Sequence, residues 1–134
     1  MNHDQMSRRC PDAKFIKPLY LRGWQLEMFC HATIGPKKGA SVAGALWSIS
    51  ESDLYHLDCY EGTPIYYRRR RWKQDGEEFF FYEMNDPRSG SPSLGYVEGI
   101  RQGYLDCGLD PKVLDNYLTN FDRNHILNYE SRIA

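Results

Sequence analysis

The sequence predicts a single domain of the α+β class. Segments with strand character come first, followed by a short helix, a hairpin and two more helices, an order typical of an antiparallel or mixed sheet with helices beside it. The chain has 134 residues, of which 41% are hydrophobic and 14% aromatic. A chain of this size and composition buries a core without help from a metal or a disulfide. We therefore treat residues 1–134 as one domain, with 121–134 as a polar C-terminal tail.

The first half of the chain is predicted to contain three strands. Phe15–Leu21 and Trp24–His31 are two strands on either side of Arg22-Gly23, because apolar residues alternate loosely in both. The Gly- and Pro-containing segment Gly35–Gly39 is predicted to be a loop. Ser41–Ile49 is apolar enough for a central strand, and its internal glycine leaves room for another backbone or a ligand.

Helix starts and ends are marked by capping residues. Ser50, followed three residues later by Asp53, resembles a capping box, and Gly62 is a typical helix end. Ser93, which precedes an apolar pattern with helical spacing, is predicted to begin the next helix, and Pro111, in first position, is predicted to begin the last. The predicted helices are Met1–Arg9, a short helix after Ser50, Ser93 to about Cys107, and one from Pro111.

The hairpin is predicted from Tyr66–Trp72 and Phe79–Met84, joined through Asp75-Gly76, a pair favoured in two-residue turns. Phe79–Phe81 is hydrophobic on both faces and indicates a core strand. The run Arg68–Arg71 alternates between the two faces of its strand, so it makes no single basic patch. The formal net charge is -1, which also argues against a nucleic-acid partner.

The remaining composition indicates a cytoplasmic protein without a metal site or a membrane partner. The four cysteines are far apart in the sequence and form no C-x-x-C pair, so we expect free thiols. The four histidines show no metal-ligand spacing, so no metal site is predicted. No apolar run approaches the roughly 18 residues that span a bilayer. The first residues lack the apolar stretch of a signal peptide.

Three segments together resemble one known family. Val42–Trp47 has the form V-x-G-x-L-W, Leu57–Gly62 has the form L-D-x-x-E-G and is followed by Tyr66–Arg69, and Pro92–Gly103 has the form P-S-x-x-Y-x-x-x-I-x-x-G. In order and spacing these are similar to the γ-glutamylcyclotransferase-like family, over about residues 24–110. The resemblance implies a small closed or partly closed mixed β-barrel flanked by short helices.

The resemblance also implies a reaction and its catalytic residue. In the family, the α-amino group of a γ-glutamyl unit attacks its own γ-carbonyl, releasing an amine and 5-oxoproline without metal or cofactor. Glu61 matches the residue that moves the proton as general acid and base. Its place at a helix C-terminus before Gly62, and burial among Tyr60, Tyr66 and Tyr67, would both raise its pKa. Local sequence alone also allows a solvated acid at a helix end.

Tyr67, Tyr96 and Gly62 are the predicted substrate-binding residues. The two tyrosines resemble those that line the family's pocket, where their hydroxyls would bond Glu61 or the substrate. The alternative for each is a packed aromatic ring with a solvated hydroxyl. Asp58, three residues before Glu61 and near the same helix face, is a weaker candidate that would cap or orient rather than catalyse.

One departure from the family pattern leaves two functions open. The family begins with a strand and a Tyr-Gly-Ser-Asn loop that holds the glutamyl carboxylate and carbonyl, and here Met1–Pro11 resembles only the helix that follows. Either the start of the sequence is assigned too late, or the domain is shortened at its N-terminus, which would leave one unpaired sheet edge. The chain is then either an enzyme acting on a small γ-glutamyl substrate or a catalytically inactive relative with a small-molecule-binding or structural role. The sequence leaves the leaving amine and the oligomeric state open.

Overall fold

A computed structural model of the chain describes residues 1–29, 31–85 and 93–119. The elements, in chain order, are α1 (His3–Arg9), β1 (Lys14–Met28), β2 (Ala32–Ser48), α2 (Glu51–Glu61), β3 (Tyr67–Gln74), β4 (Glu77–Met84), α3 (Leu94–Asp106) and α4 (111–119). The predicted α+β class is confirmed. The predicted tail, 121–134, lies outside the described residues.

The first sheet is a long antiparallel hairpin of β1 and β2, paired from Lys14↔Ser48 to Met28↔Ala32. The two strands predicted around Arg22-Gly23 are one strand. A register shift falls between Arg22 and Trp24, where Gly23 has a φ of +84°. A bulge therefore absorbs the glycine that suggested a break.

The predicted loop Gly35–Gly39 lies within β2, but only its first two residues are paired in the sheet. Gly35 and Pro36 pair with Gln25 and Trp24, whereas residues 37–40 have no partner in the register. A Cβ at Gly35 would lie 2.1 Å from the carboxylate of Glu27. The glycine thus marks a close approach of a side chain, and its prediction as a loop residue was wrong.

The second sheet is the hairpin of β3 and β4, paired from Tyr67↔Met84 to Gln74↔Glu77. Asp75 and Gly76 have φ of 51° and 80°, and positive φ at both central residues is what a type I′ turn requires. The predicted hairpin is confirmed. Phe79–Phe81 is only half-buried, and the buried residue of β4 is Glu83, so the prediction of a core strand was wrong.

Side chains bridge the two sheets and close the barrel in part. At one end, the Thr33 hydroxyl of β2 accepts a hydrogen bond from the Met84 amide of β4 at 2.9 Å. At the other end, the Gln74 side chain donates to the Tyr20 carbonyl at 2.9 Å and accepts from the Arg22 amide at 3.0 Å. Both bridging side chains are buried, and these bonds satisfy their polar groups.

The main core cluster lies where α3 and α4 pack beside the first sheet. Its buried members are Ala43, Tyr104, Cys107, Leu109 and Leu114. Leu114 of α4 is completely buried. No helix in the described part of the chain is both long and apolar enough to cross a membrane.

The helix caps follow the sequence signals. Ser50 Oγ accepts a hydrogen bond from the Asp53 amide at 3.1 Å, and the Asp53 carboxylate accepts one from the Ser50 amide at 3.3 Å. This reciprocal pair is the predicted capping box. Ser93 caps α3 with a single bond of this kind, its Oγ accepting from the Tyr96 amide at 3.2 Å.

Candidate functional site

Glu61 is the last residue of α2, and its position is fixed by a left-handed cap. Gly62 has a φ of +64°, and its amide donates to the Cys59 carbonyl at 3.2 Å. The chain then turns back toward β3, with the Tyr66 amide donating to the Gly62 carbonyl at 2.9 Å. A Cβ on Gly62 would lie 2.4 Å from Tyr66 Cδ2, so the turn that presents Glu61 needs a glycine.

Glu61 lines a cavity of about 880 Å³. The first helix contributes Gln5 and Arg9 to its wall, and Tyr67 of β3 and Tyr96 of α3 lie in the same wall. The structure therefore brings together three of the four residues predicted as a site. Gly62 lies next to the cavity as the cap of α2, and its direct contact with a substrate stays a prediction.

The electrostatic environment of Glu61 favours its protonated form. Burial raises the pKa of the Glu61 carboxyl above its ordinary value, while the positive charges of Arg9 and His31 act in the opposite direction and are weaker. A raised pKa brings a carboxyl closer to the range in which it can both accept and return a proton near neutrality.

The two predicted tyrosines both form hydrogen bonds with the backbone of Ala32, the first residue of β2. The Tyr67 hydroxyl donates to the Ala32 carbonyl at 3.0 Å, and the Tyr96 hydroxyl accepts from the Ala32 amide at 2.9 Å. Both hydroxyls thus bond the first residue of β2 rather than Glu61. A tyrosine hydroxyl has one proton and two lone pairs, so Tyr96 keeps its proton for a ligand and Tyr67 keeps a lone pair.

Both hydroxyls remain protonated over a wide pH range. Burial raises the pKa of Tyr67, with smaller contributions from Tyr96 and from the charge of Glu61. Burial is also the main cause that raises the pKa of Tyr96. The site therefore has neutral hydroxyls beside one titratable carboxyl.

Asp58 orients α2 rather than lining the cavity. Its carboxylate accepts a hydrogen bond from the Tyr82 hydroxyl at 2.7 Å and lies 3.4 Å from Arg69 Nε. Burial, followed by this hydrogen bond, raises the pKa of Tyr82. Asp58 thereby ties the end of α2 to the β3–β4 hairpin, in agreement with the orienting role predicted for it.

Arg9 is a residue of the site that the sequence did not indicate. Its Nη2 donates to the Tyr60 hydroxyl at 2.5 Å, and its guanidinium carbon lies 3.7 Å from the centre of the Tyr60 ring. In the sequence it belongs to a polar segment that is predicted to be an N-terminal helix. Only the packing of α1 beside α2 brings it to the cavity, and no local sequence pattern carries that information.

Three arginines of the run in β3, Arg68, Arg69 and Arg70, form ion pairs within the fold. Arg68 bonds the buried carboxylate of Glu83 through Nε at 2.9 Å and Nη2 at 2.6 Å. Arg70 lies 3.7 Å from the same carboxylate. Charged groups are rarely buried unless they are paired. These arginines therefore supply the positive charge that the buried carboxylate of Glu83 needs.

No group of three His, Cys, Asp or Glu side chains within residues 1–29, 31–85 and 93–119 is arranged to hold a metal ion. The wall of the described cavity offers one carboxyl, one guanidinium, the imidazole of His31 and four phenols. These groups suit proton transfer on a small polar ligand.

The α+β fold thus places one carboxyl, that of Glu61, beside several tyrosines in the wall of the described cavity. The family model described as "Gamma-glutamyl cyclotransferase, AIG2-like" matches residues 1–99. The chain therefore belongs to the AIG2-like γ-glutamyl cyclotransferase family, and the resemblance predicted from its motifs is confirmed. No curated protein matches the sequence.

Solved structures share the fold at low sequence identity. A structure titled "Gamma-glutamyl cyclotransferase" is 24% identical with a TM-score of 0.71, covering 84% of this chain and 78% of that one. An uncharacterised human protein is 24% identical with a TM-score of 0.69 and the same coverage. YkqA from Bacillus subtilis is 17% identical with a TM-score of 0.68, and 89% of this chain covers 48% of it.

Proposed function

We propose that this protein is a γ-glutamylcyclotransferase-like enzyme that converts the γ-glutamyl group of a peptide or amine to 5-oxoproline and releases the amine. The observation that carries the proposal is the position of Glu61, at a capped helix end in the wall of a cavity, with burial raising its pKa. Family membership supports the reaction class.

In the proposed reaction, Glu61 acts first as a base and then as an acid. The carboxylate takes one proton from the α-ammonium group, and the freed amine attacks the γ-carbonyl carbon. Glu61 returns the proton to the nitrogen of the scissile amide, and the carbon–nitrogen bond breaks. A second proton leaves the new lactam nitrogen and ends on the released amine. The attack is intramolecular, so it loses little translational entropy.

The tyrosines supply polar contacts that complement this step. In the proposal, the Tyr96 hydroxyl donates a hydrogen bond to the γ-carbonyl oxygen, where negative charge develops. Tyr67 presents a lone pair to the α-ammonium group. Gly62 holds the turn that presents Glu61, and a direct contact of its backbone with the substrate is a further part of the proposal.

The setting of the reaction follows from the same assignment. We place it in the cytoplasm, in the metabolism of glutathione and other γ-glutamyl compounds, with a small-molecule substrate and no cofactor. In this proposal neither a nucleic acid nor a membrane takes part.

The test is release of 5-oxoproline from a panel of γ-glutamyl peptides and amines. We expect Glu61→Gln to lower kcat/KM by about 10²- to 10⁴-fold, the range that a general acid–base residue contributes. Glu51→Gln is the matched control, because Glu51 is an exposed carboxylate at the other end of the same helix. Folding of both variants is checked by circular dichroism.

Two outcomes would contradict the proposal. Turnover that survives in Glu61→Gln would remove this residue from the mechanism. A folded wild-type chain that releases no 5-oxoproline from any substrate of the panel would favour the alternative, a catalytically inactive relative that binds a small molecule or has a structural role.

A further inference from the structure

We infer that His31 is a further positioning residue of the site, which holds the ring of Tyr96 and, when its imidazole is protonated, stabilises the carboxylate form of Glu61. The inference rests on the proposed function, because it assigns one more residue to the same reaction. It is carried by the place of His31 in the cavity wall, by its ring contact with Tyr96, and by the charges that share this wall.

His31 enters the cavity wall from the end of the first hairpin. It lies directly before β2, and its carbonyl accepts a hydrogen bond from the Phe29 amide at 3.0 Å. It lines the same cavity as Glu61. His31 is exposed, so its imidazole can exchange a proton with water without the cost of charging a buried group. A positive charge can therefore be added to this wall, or removed from it, at His31.

The ring of His31 packs against that of Tyr96. The ring centres are 5.4 Å apart and the planes meet at 87°, the edge-to-face geometry that aromatic pairs favour. The Tyr96 hydroxyl accepts a hydrogen bond from the Ala32 amide, so two consecutive residues hold the ring and the hydroxyl of one phenol. In the proposed reaction this phenol donates to the γ-carbonyl oxygen. His31 thereby acts on the group that stabilises the developing charge.

The charges of the described cavity wall give His31 its second role. Two side chains of this wall can carry a positive charge, Arg9 and His31, and both favour the carboxylate of Glu61 against the burial that raises its pKa. An arginine is always charged, whereas an imidazole gains its charge as pH falls from about 8 to about 5. A carboxyl with a raised pKa takes up its proton as pH falls toward the same range. Protonation of His31 therefore opposes the loss of the base form of Glu61.

The other titratable groups of this wall determine how the test is designed. Burial lowers the pKa of the Met1 amino group, and phenols as a class are uncharged below about pH 9. None of these groups is removed in a His31 variant, so the difference between wild type and variant reports the imidazole. These groups are the amine of Met1 and the phenols of Tyr60, Tyr66, Tyr67 and Tyr96.

The first experiment follows the Glu61 carboxyl itself, by ¹³C NMR titration of the full chain, and needs no turnover. His31→Phe removes the charge and keeps an aromatic ring against Tyr96. We expect the midpoint of the Glu61 titration to lie at a higher pH in His31→Phe than in wild type, because no imidazolium then favours the carboxylate. High salt should reduce this difference. Glu61→Gln identifies the resonance by its loss.

The second experiment compares kcat/KM for 5-oxoproline release at about pH 5.5 and about pH 8, on either side of an ordinary imidazole titration. In His31→Phe, the ratio of the acid to the alkaline value should be about 2- to 10-fold lower than in wild type, the size expected for one charge acting across a partly solvated cavity. His31→Ala also removes the ring. It should lower kcat/KM about 2- to 10-fold at the alkaline pH as well, the range for loss of an aromatic pair.

The matched control is His56→Phe. His56 is an exposed histidine of α2, the helix that carries Glu61, and its ring contacts that of Tyr55 with the centres 6.1 Å apart. It lies outside the wall of the described cavity, so this variant removes the same kind of ionisable group from a comparable ring pair elsewhere. The Glu61 midpoint and the acid-to-alkaline ratio should both keep their wild-type values.

Several outcomes would overturn the inference. An unchanged Glu61 midpoint in His31→Phe would show that the imidazole does not act on the carboxyl, and an equal shift in His56→Phe would assign the effect to net charge. Full kcat/KM of His31→Ala at the alkaline pH would exclude the positioning of Tyr96. Should His31→Phe fail to fold, an unchanged midpoint in His31→Gln would have the same force. Failure of the proposed function is distinct, because the wild-type protein then releases no 5-oxoproline whatever the Glu61 titration shows.

Discussion

Replacing Gly62 by alanine tests the turn that positions Glu61. Alanine in the left-handed region costs about 1–2 kcal/mol relative to glycine. Its Cβ would also lie 2.4 Å from Tyr66 Cδ2, well inside an ordinary carbon–carbon contact of roughly 3.5–4.0 Å. Because Tyr66 is largely exposed, its ring can swing aside into an unfavourable rotamer for about 0.5–1.5 kcal/mol. We expect Gly62→Ala to lose about 1.5–3.5 kcal/mol in total.

The control is Gly108→Ala. Gly108 follows the end of α3 with a φ of +70°, and a Cβ there would meet nothing within 4 Å. This variant should therefore show only the backbone cost, about 1–2 kcal/mol. The difference between the two variants isolates the contact with Tyr66.

The assay is urea denaturation, followed by circular dichroism, for both glycine variants with and without Tyr66→Ala. The Tyr66→Ala background should remove the excess cost of Gly62→Ala, as expected for a pair of residues in contact. Thermal unfolding should show the same order, at about 4 °C per kcal/mol for a chain of this size. A cost for Gly62→Ala equal to or below that of Gly108→Ala would refute the reasoning.

Three further predictions concern pH, core and cap. Burial raises the folded-state pKa of Glu61, so between the two pKa values the folded protein binds more protons than the unfolded chain. The unfolding free energy should therefore fall as pH rises through that window. Glu61→Gln should remove this slope in urea titrations, and a parallel pH dependence of wild type and variant would contradict the prediction. Leu114→Ala should cost about 2–5 kcal/mol because its side chain is 0% exposed, and Leu105→Ala, at 53% exposed, should cost much less in the same assay. Ser50→Ala should lower the unfolding free energy by about 1 kcal/mol by removing the cap of α2, and an unchanged denaturation midpoint would argue against that cap.

Helices and hairpins whose ends contain capping or turn residues could be predicted from the sequence. The capping box at Ser50, the left-handed glycine at Gly62 and the Asp75-Gly76 turn each satisfy a local backbone requirement, so a few neighbouring residues specify them. The predicted loop Gly35–Gly39 was misleading at its first two residues, because Gly35 and Pro36 pair with the neighbouring strand of the first sheet. The requirement at Gly35 comes from Glu27, a residue on the paired strand.

The candidate site was predictable only in part for a related reason. Glu61, Tyr67 and Tyr96 belong to motifs whose order resembles a family, and the structure places them around one cavity. Arg9 belongs to no such motif, and its role depends on the packing of α1 beside Tyr60. In β4, the three phenylalanines were predicted to form a core strand, whereas the buried residue is Glu83, which pairs with arginines.

The hydrogen bonds of Ala32 with two phenols preorganise one side of the cavity for a ligand. Each hydroxyl uses one bonding direction on the main chain, so its rotation about the carbon–oxygen bond is restricted before any small molecule arrives. The helix that carries Tyr96 and the hairpin that carries Tyr67 are thereby joined to the same strand end. Binding of a small molecule then needs little rearrangement on this side of the cavity. The conformational entropy of these two side chains, which a more mobile wall would lose when the ligand binds, has already been lost during folding.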